Sequence, residues 1–276
     1  MDDFRGILQP FLSFTLSHFF AIVLASGATA LASAGIALVL KLRAKFRFRG
    51  ALGLDNGEPV VFVLADRPIA GNGSTASLRN YVTQEDLASM LAVDTAFVRA
   101  DWSRSAIDVR VASRFGKDDP EDHNKNIVVF CSGKSNPVTL EVMQELTRLA
   151  LLDWAFVEDA ASGQWKLRWR DGSWESPSYG QEALLLTTGR PRGEGPIDDH
   201  AILARLPNPW NPAAKVYLVA GIRGEGTRGA GEYFRDNLRQ IKSATRGKDF
   251  VWLLHVTCEN YRVRHVDVVV KDDRGR

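Results

Sequence analysis

The chain has 276 residues, 45% hydrophobic and 25% charged, with a formal net charge of +2 at pH 7. That length supports one large or two small cores, and the near-balanced charge argues against a nucleic-acid-binding surface. Two cysteines, Cys131 and Cys258, exclude a disulfide scaffold and suit a reducing cytoplasm. The histidines are scattered, with no HExxH pattern, so the sequence predicts no metal site.

Residues 1–11 are expected to form a short extracytoplasmic tail. An uncharged run follows, LSFTLSHFFAIVLASGATALASAGIALVL, and it ends at Lys41. About 20 apolar residues span the ~30 Å hydrocarbon core of a bilayer, so the run predicts one transmembrane helix over residues 12–41. A cleaved signal peptide places its positive charge first, whereas here Lys41, Arg43, Lys45, Arg47 and Arg49 come after the apolar run. Cations on that flank predict a basic juxtamembrane linker (42–57) beside anionic headgroups and a cytoplasmic domain (58–276). The expected location is the inner or plasma membrane, crossed once. Ser26, Ala30 and Ala34 recur every four residues, which suits either homo-oligomerisation through the helix or an alanine-rich helix with no partner.

Beyond the linker, EPVVFVLAD (58–66) reads as a buried strand ended by Asp66 and Pro68. A Gly- and Ser-rich loop leads to a helix N-capped by Thr83. AIDVRVAS (106–113) alternates like a half-exposed strand, and NIVVFCSG (126–133) is a second buried one. The helix after it has Asn136 as N-cap and Pro137 at its first position. QWKLRWRDGSWESP reads as a β-ribbon turning at Asp171–Gly172, with Trp165, Trp169 and Trp174 on one face. HAILARL (200–206) precedes the turn-rich PNPWNPAAK, and KVYLVAGI (215–222) is the third buried strand. A glycine-rich loop, a helix and two strands close the chain. The expected fold is α/β: a Rossmann-like, mainly parallel sheet with antiparallel edge ribbons.

Two loops at strand ends could carry chemistry. Ligands of open α/β sheets bind outside the carboxyl ends of the strands, where Ser132, Gly133, Lys134, Ser135 and Asn136 fall. A helix N-terminus there offers backbone N–H groups to an anion, and Lys134 adds charge; an ordinary capped helix explains the same residues. The second loop contains Gly221, Arg223, Gly224, Gly226, Thr227 and Arg228. Reading from Gly224, G-E-G-T-R-G fits the spacing of a dinucleotide fingerprint in a strand–turn–helix context, with Arg223 and Arg228 as phosphate contacts. Glu225 is the candidate acid/base group, and a purely conformational role for the glycines is the alternative. Asn208, with Trp210, could form a wall of the same crevice, or simply a rigid turn. Asp66, Asn72 and Ser74 would reach that edge. Glu85, Asp86 and Glu141 are further carboxylates that a solvated helix face explains equally well.

The segments NIVVFCSGKSNPVT and LPNPWNPAAKVYLVAGIRGEGTRGA resemble the motifs of a poorly characterised group of prokaryotic Rossmann-like domains. In that group a strand leads to an S-N-P-V-T helix start, and a later P-N-P turn precedes a strand ending in A-G-x-x-G-x-G-T. The architecture is more distantly similar to TIR- and SLOG-type domains of bacterial defence systems, often paired with membrane segments. The resemblance implies a nucleotide or nucleotide-derived ligand and supplies no catalytic residues. The expected function is a membrane-anchored sensor or effector. The alternatives are a tethered hydrolase of a nucleotide or N-glycosidic bond and a protein-interaction scaffold.

Overall fold

The computed structural model describes residues 33–36, 39, 52–54, 57–68, 80–176, 196–260 and 262–273. The expected transmembrane helix therefore falls almost wholly outside the described residues, of which 33–36 and 39 are helical and exposed. Among the described residues no helix is long and apolar enough to cross a membrane. Phe48–Arg276 form one compact unit and Met1–Arg47 another.

In chain order the larger unit contains β1 (Val60–Leu64), the short pair β2 (Arg67–Pro68) and β3 (Asn80–Tyr81), α1 (Gln84–Arg99), β4 (Ile107–Val111) and β5 (Asn126–Phe130). Next come α2 (Pro137–Arg148) and the meander β6 (Trp154–Glu158), β7 (Trp165–Trp169) and β8 (Gly172–Glu175). The chain continues with β9 (Pro196–Pro207), β10 (Lys215–Gly221), α3 (Gly224–Thr245), β11 (Phe250–Glu259) and β12 (Arg262–Asp273).

The main sheet has the order β12-β11-β9-β10-β5-β1-β4. The apolar runs of β1, β5 and β10 sit side by side at its centre, where both faces are covered. These strands and β4 pair in parallel. β9 is antiparallel to both β10 and β11, and β12 is antiparallel to β11. All strands except β9 and β12 thus point the same way. The antiparallel strands expected at an edge are present there, as one continuous flank, β9, β11 and β12.

Two cores result. On one face α1 and α3 cover Phe62, Phe130, Tyr217 and Trp252, with Phe97 and Phe234 contributed by the helices. Phe62 meets Phe97 edge-on at 5.5 Å and Phe130 at 5.6 Å, the geometry ring quadrupoles favour. On the other face α2 and the β6–β8 meander cover Val63, Val129 and Leu218. There Trp154 is fully buried and stacks on Trp169 at 5.0 Å and on Trp174 at 5.4 Å.

Local signals place several boundaries. Thr83 accepts the Asp86 N–H at 3.2 Å and starts α1 as its N-cap. The ribbon turn lies one residue earlier than expected: Trp169 pairs with Gly172, so Arg170 and Asp171 make the loop, with Arg170 at φ 51°. The linker also ends sooner than the sequence suggests. Leu52 is buried in the first core, and its carbonyl accepts the hydroxyl of the buried Tyr217.

Candidate functional site

The sheet reverses its direction of winding between neighbouring strands. From β1 the chain passes to α1 on one face and on to β4; from β5 it passes to α2 on the other face. In open α/β sheets ligands bind outside the carboxyl ends of the strands at such a switch point, which here means the ends of β1 and β5. At that point Cys131 adopts φ 77°, a left-handed conformation uncommon for a residue with a side chain. Its N–H still pairs with the Val219 carbonyl of β10 at 3.2 Å, so the strand turns sharply without losing its last rung.

Residues 132–136 follow. Ser132, Gly133 and Asn136 are buried, Ser135 is half-buried and Lys134 is exposed. Asn136 accepts from the N–H groups of Val138 at 3.0 Å and Thr139 at 3.4 Å, and so caps α2. Its amide donates to the carbonyls of Phe130 at 2.8 Å and Val63 at 3.3 Å. One side chain thereby ties the helix start to the ends of both β5 and β1. The N–H groups of Ser135 and Asn136 turn back to the Ser132 carbonyl. The cap is internal, which leaves Lys134 as the exposed charge of this loop.

The glycine-rich loop lies at the same edge, one strand over, but its helix runs on the opposite face. Arg223 at the N-cap of α3 makes no side-chain cap. The carboxylate of Asp199, from β9, takes that role: Oδ2 accepts the N–H of Gly226 at 2.8 Å and of Arg223 at 2.9 Å. The helix N-terminus is thus capped by a carboxyl group that the protein itself supplies. A Cβ on Gly226 would sit 2.3 Å from that oxygen, and one on Gly231 would sit 2.8 Å from the Ser89 carbonyl of α1. Here the glycines set how closely α3 approaches β9 and α1. Thr227 closes the turn, accepting the Gly221 N–H at 3.0 Å, while Ser89 donates to the Thr227 carbonyl at 2.9 Å.

The electrostatics of this junction are unusual for a phosphate cradle. Burial pushes Asp199 up to about 7, against the pull of the Arg223, His200 and Gly226 N–H groups and with a smaller push from Glu225. Glu225 pairs with Arg223 at 3.5 Å, and Arg228 pairs with Glu232 at 2.7 Å, one helical turn on. Burial likewise raises the Cys258 thiol to about 12 beside the Glu225 carbonyl, so it is an inert thiol.

Asn208 is not brought to this edge. It is fully buried at the amino-terminal ends of β5 and β10, where its amide donates to the carbonyls of Lys125 at 2.8 Å and His123 at 2.9 Å. Trp210 packs edge-on against His123 at 4.7 Å. The expected crevice wall is therefore corrected to a clamp on the far end of the sheet, because β9 and β10 are joined at their opposite ends from the switch point. Asp66 is also accounted for by the fold, accepting from the N–H of Ser113 at 2.9 Å and from its hydroxyl. Glu141 is exposed, Glu85 lies against Gly224, and Asn72 and Ser74 lie outside the described residues.

Asp199 and Ser89 are the residues that sequence reading missed. Asp199 sits in a polar start to an apolar strand, IDDHAIL, where the alternation could have marked it as inward-facing. No family model, curated protein or solved structure matches the chain. The assignment of a function therefore rests on geometry.

Proposed function

We propose that this chain is a membrane-anchored sensor or effector whose α/β domain binds a nucleotide-type anion at the β1/β5 switch point. The observation that carries the reading is Cys131, a residue with a side chain held at φ 77° at the carboxyl end of a central parallel strand. Backbone strain of this kind persists where the surroundings over-determine it and is concentrated at functional sites. The exposed ammonium of Lys134 and the buried Ser132–Gly133 pair beside it supply charge and close backbone approach. The anchor rests on the apolar run and the five cations after it, and would place the domain on the cytoplasmic side. Ligand-linked changes in the domain would then reach the membrane helix, as in signalling or defence assemblies.

The test is thermal unfolding of the detergent-extracted full chain with a panel of nucleotides and dinucleotides. A ligand that binds only the folded chain raises its melting temperature with concentration. The expected result is a rise for at least one phosphate-bearing ligand, lost in Lys134→Ala. A flat response across the panel would sink the reading.

A tethered hydrolase using Glu225 is the second reading, and the neutral-range pKa of Asp199 beside it is the observation that favours it. Against it, Asp199 is fully buried beneath α3 and Glu225 is engaged with Arg223. Turnover of a nucleotide by the full chain, abolished in Glu225→Gln, would place this reading first.

A further inference from the structure

α1 turns two faces to different surroundings. Val93, Ala96 and Phe97 enter the first core, and Ser89 donates to the Thr227 carbonyl of α3. On the opposite side Leu87, Leu91 and Val98 are 45%, 53% and 41% exposed. Their spacing of four and then seven residues lines them up on one stripe, and Asp94 fills the remaining seam position. The other exposed large apolar side chains described in the α/β domain fall singly on β4 and β12 or at opposite ends of α2. Scattered apolar side chains need no explanation, whereas three on one helix stripe mark a contact surface.

The charges along α1 are asymmetric, with Glu85 in its first turn and Arg99 in its last. They stand two heptads apart, so both lie on the same flank of the stripe. Arg99 is half exposed, 3.7 Å from Asp236 of α3. A parallel pair of such helices would set Glu85 against Glu85, Asp94 against Asp94 and Arg99 against Arg99. An antiparallel pair instead sets Glu85 beside Arg99 at both ends, and layers Leu87 on Val98 and Leu91 on Asp94. One two-fold axis between Ala92 and Val93 makes all these pairings at once, as an isologous contact requires. Asp94 is held by Arg104 at 3.1 Å, and a single polar residue in an apolar seam fixes register and orientation.

We propose that the outward stripe of α1 binds the same stripe of a second copy of this chain, with the two helices antiparallel. Self-complementarity is the ground for choosing a second copy: one helix supplies both charges and both members of each layer. α1 has 16 residues and so is about 24 Å long. A contact of that length is at the small end of specific interfaces, so association should depend on concentration. It lies within the α/β domain and depends on neither the membrane helix nor the proposed nucleotide site.

The experiment is disulfide mapping on the detergent-extracted full chain, oxidised with copper–phenanthroline and resolved by non-reducing electrophoresis. Cys131 and Cys258 are buried, so the parent should give no covalent dimer. Within one helix Leu87 and Val98 stand about 16 Å apart, beyond the ~7 Å that a disulfide tolerates between Cα atoms. Leu87→Cys and Val98→Cys in one chain should therefore link two copies rather than close on themselves. Either substitution alone should give no dimer, because equivalent residues lie towards opposite ends of an antiparallel pair. Mixing the two single variants should restore the link with one change per chain, and adding Leu91→Glu should abolish it. A dimer that forms from a single variant as readily as from the combination, as parallel helices or random collision would give, overturns the proposal. So does a mixture of single variants that gives no covalent dimer while each melts as the parent does, or a link that survives Leu91→Glu.

Discussion

The two strand–loop–helix junctions at the carboxyl edge solve one problem in opposite ways. At β5–α2 the helix start is satisfied from within, by the side chain of its own N-cap, Asn136. At β10–α3 the N-cap offers nothing, and the donors go to Asp199 from the antiparallel flank. The first junction needs only a suitable residue at one position. The second needs glycines, because a carboxylate and a second helix must come within contact distance of its backbone. A glycine-rich turn before a helix is therefore as consistent with a docked carboxylate as with a docked phosphate.

Breaking the self-capped junction should have the largest effect. Asn136→Ala removes two cap bonds and the side-chain donor of the buried Phe130 carbonyl. A lost cap costs up to ~2 kcal/mol and an unsatisfied buried group ~1–3, so a loss of roughly 3–5 kcal/mol is expected in denaturant unfolding. A loss below about 1 kcal/mol would show that water replaces the side chain and that the junction is not the tie between β1 and β5. Gly226→Ala tests the other junction. Its Cβ would lie 2.3 Å from Asp199 Oδ2 and 2.9 Å from the His200 carbonyl, so α3 must shift. A loss of about 2–4 kcal/mol is expected, within the range of overpacking and broken buried networks. A neutral result would mean that the glycine is not there for close approach.

Much of this contrast was open to sequence reading, and the reason it was incomplete is specific. The Asn136–Pro137 start, the Thr83 cap and the three buried strands follow from local rules, so residues near in sequence decided them. Strand pairing is not local. That β9 inserts between β10 and β11, and so carries Asp199 under α3, is decided by pairing with strands that come later in the chain. The same step takes Asn208 to the far end of the sheet and brings His200 opposite His255. Lys134 and Arg223 look alike as charged residues in polar loops. Only the fold shows that Lys134 is exposed and that Arg223 pairs with Glu225.

Asp199→Asn sharpens the comparison through pH. The ordinary carboxyl value is 3.8, and burial raises Asp199 to about 7. Between those values the folded chain holds a proton that the unfolded chain has lost. The stability this group contributes is fully present below the unfolded value and is lost as pH rises through about 7. Asparagine mimics the protonated form at every pH. The advantage of the variant over the parent should grow by about 1–3 kcal/mol between pH 5 and pH 8, since each pH unit between the two values corresponds to about 1.36 kcal/mol. A parent chain whose stability relative to the variant stays constant across that window would remove the protonated carboxyl from the account of α3.

Lys134→Ala should have the smallest effect on stability and the most to say about function. The ammonium is exposed, and exposed polar and ionic contacts contribute at most ~1 kcal/mol. The unliganded melting temperature should therefore hardly move, whereas stabilisation by a phosphate-bearing ligand should disappear. The same measurement on Arg228→Ala separates the two junctions. Arg228 is ion-paired with Glu232 along α3, and an i,i+4 pair contributes only ~0.3–0.5 kcal/mol. If the self-capped junction faces the ligand, Arg228→Ala keeps the ligand response and Lys134→Ala loses it. The reverse pattern would move the site to the glycine-rich junction, where an incoming phosphate would have to displace the carboxylate of Asp199 from the two N–H groups it now holds.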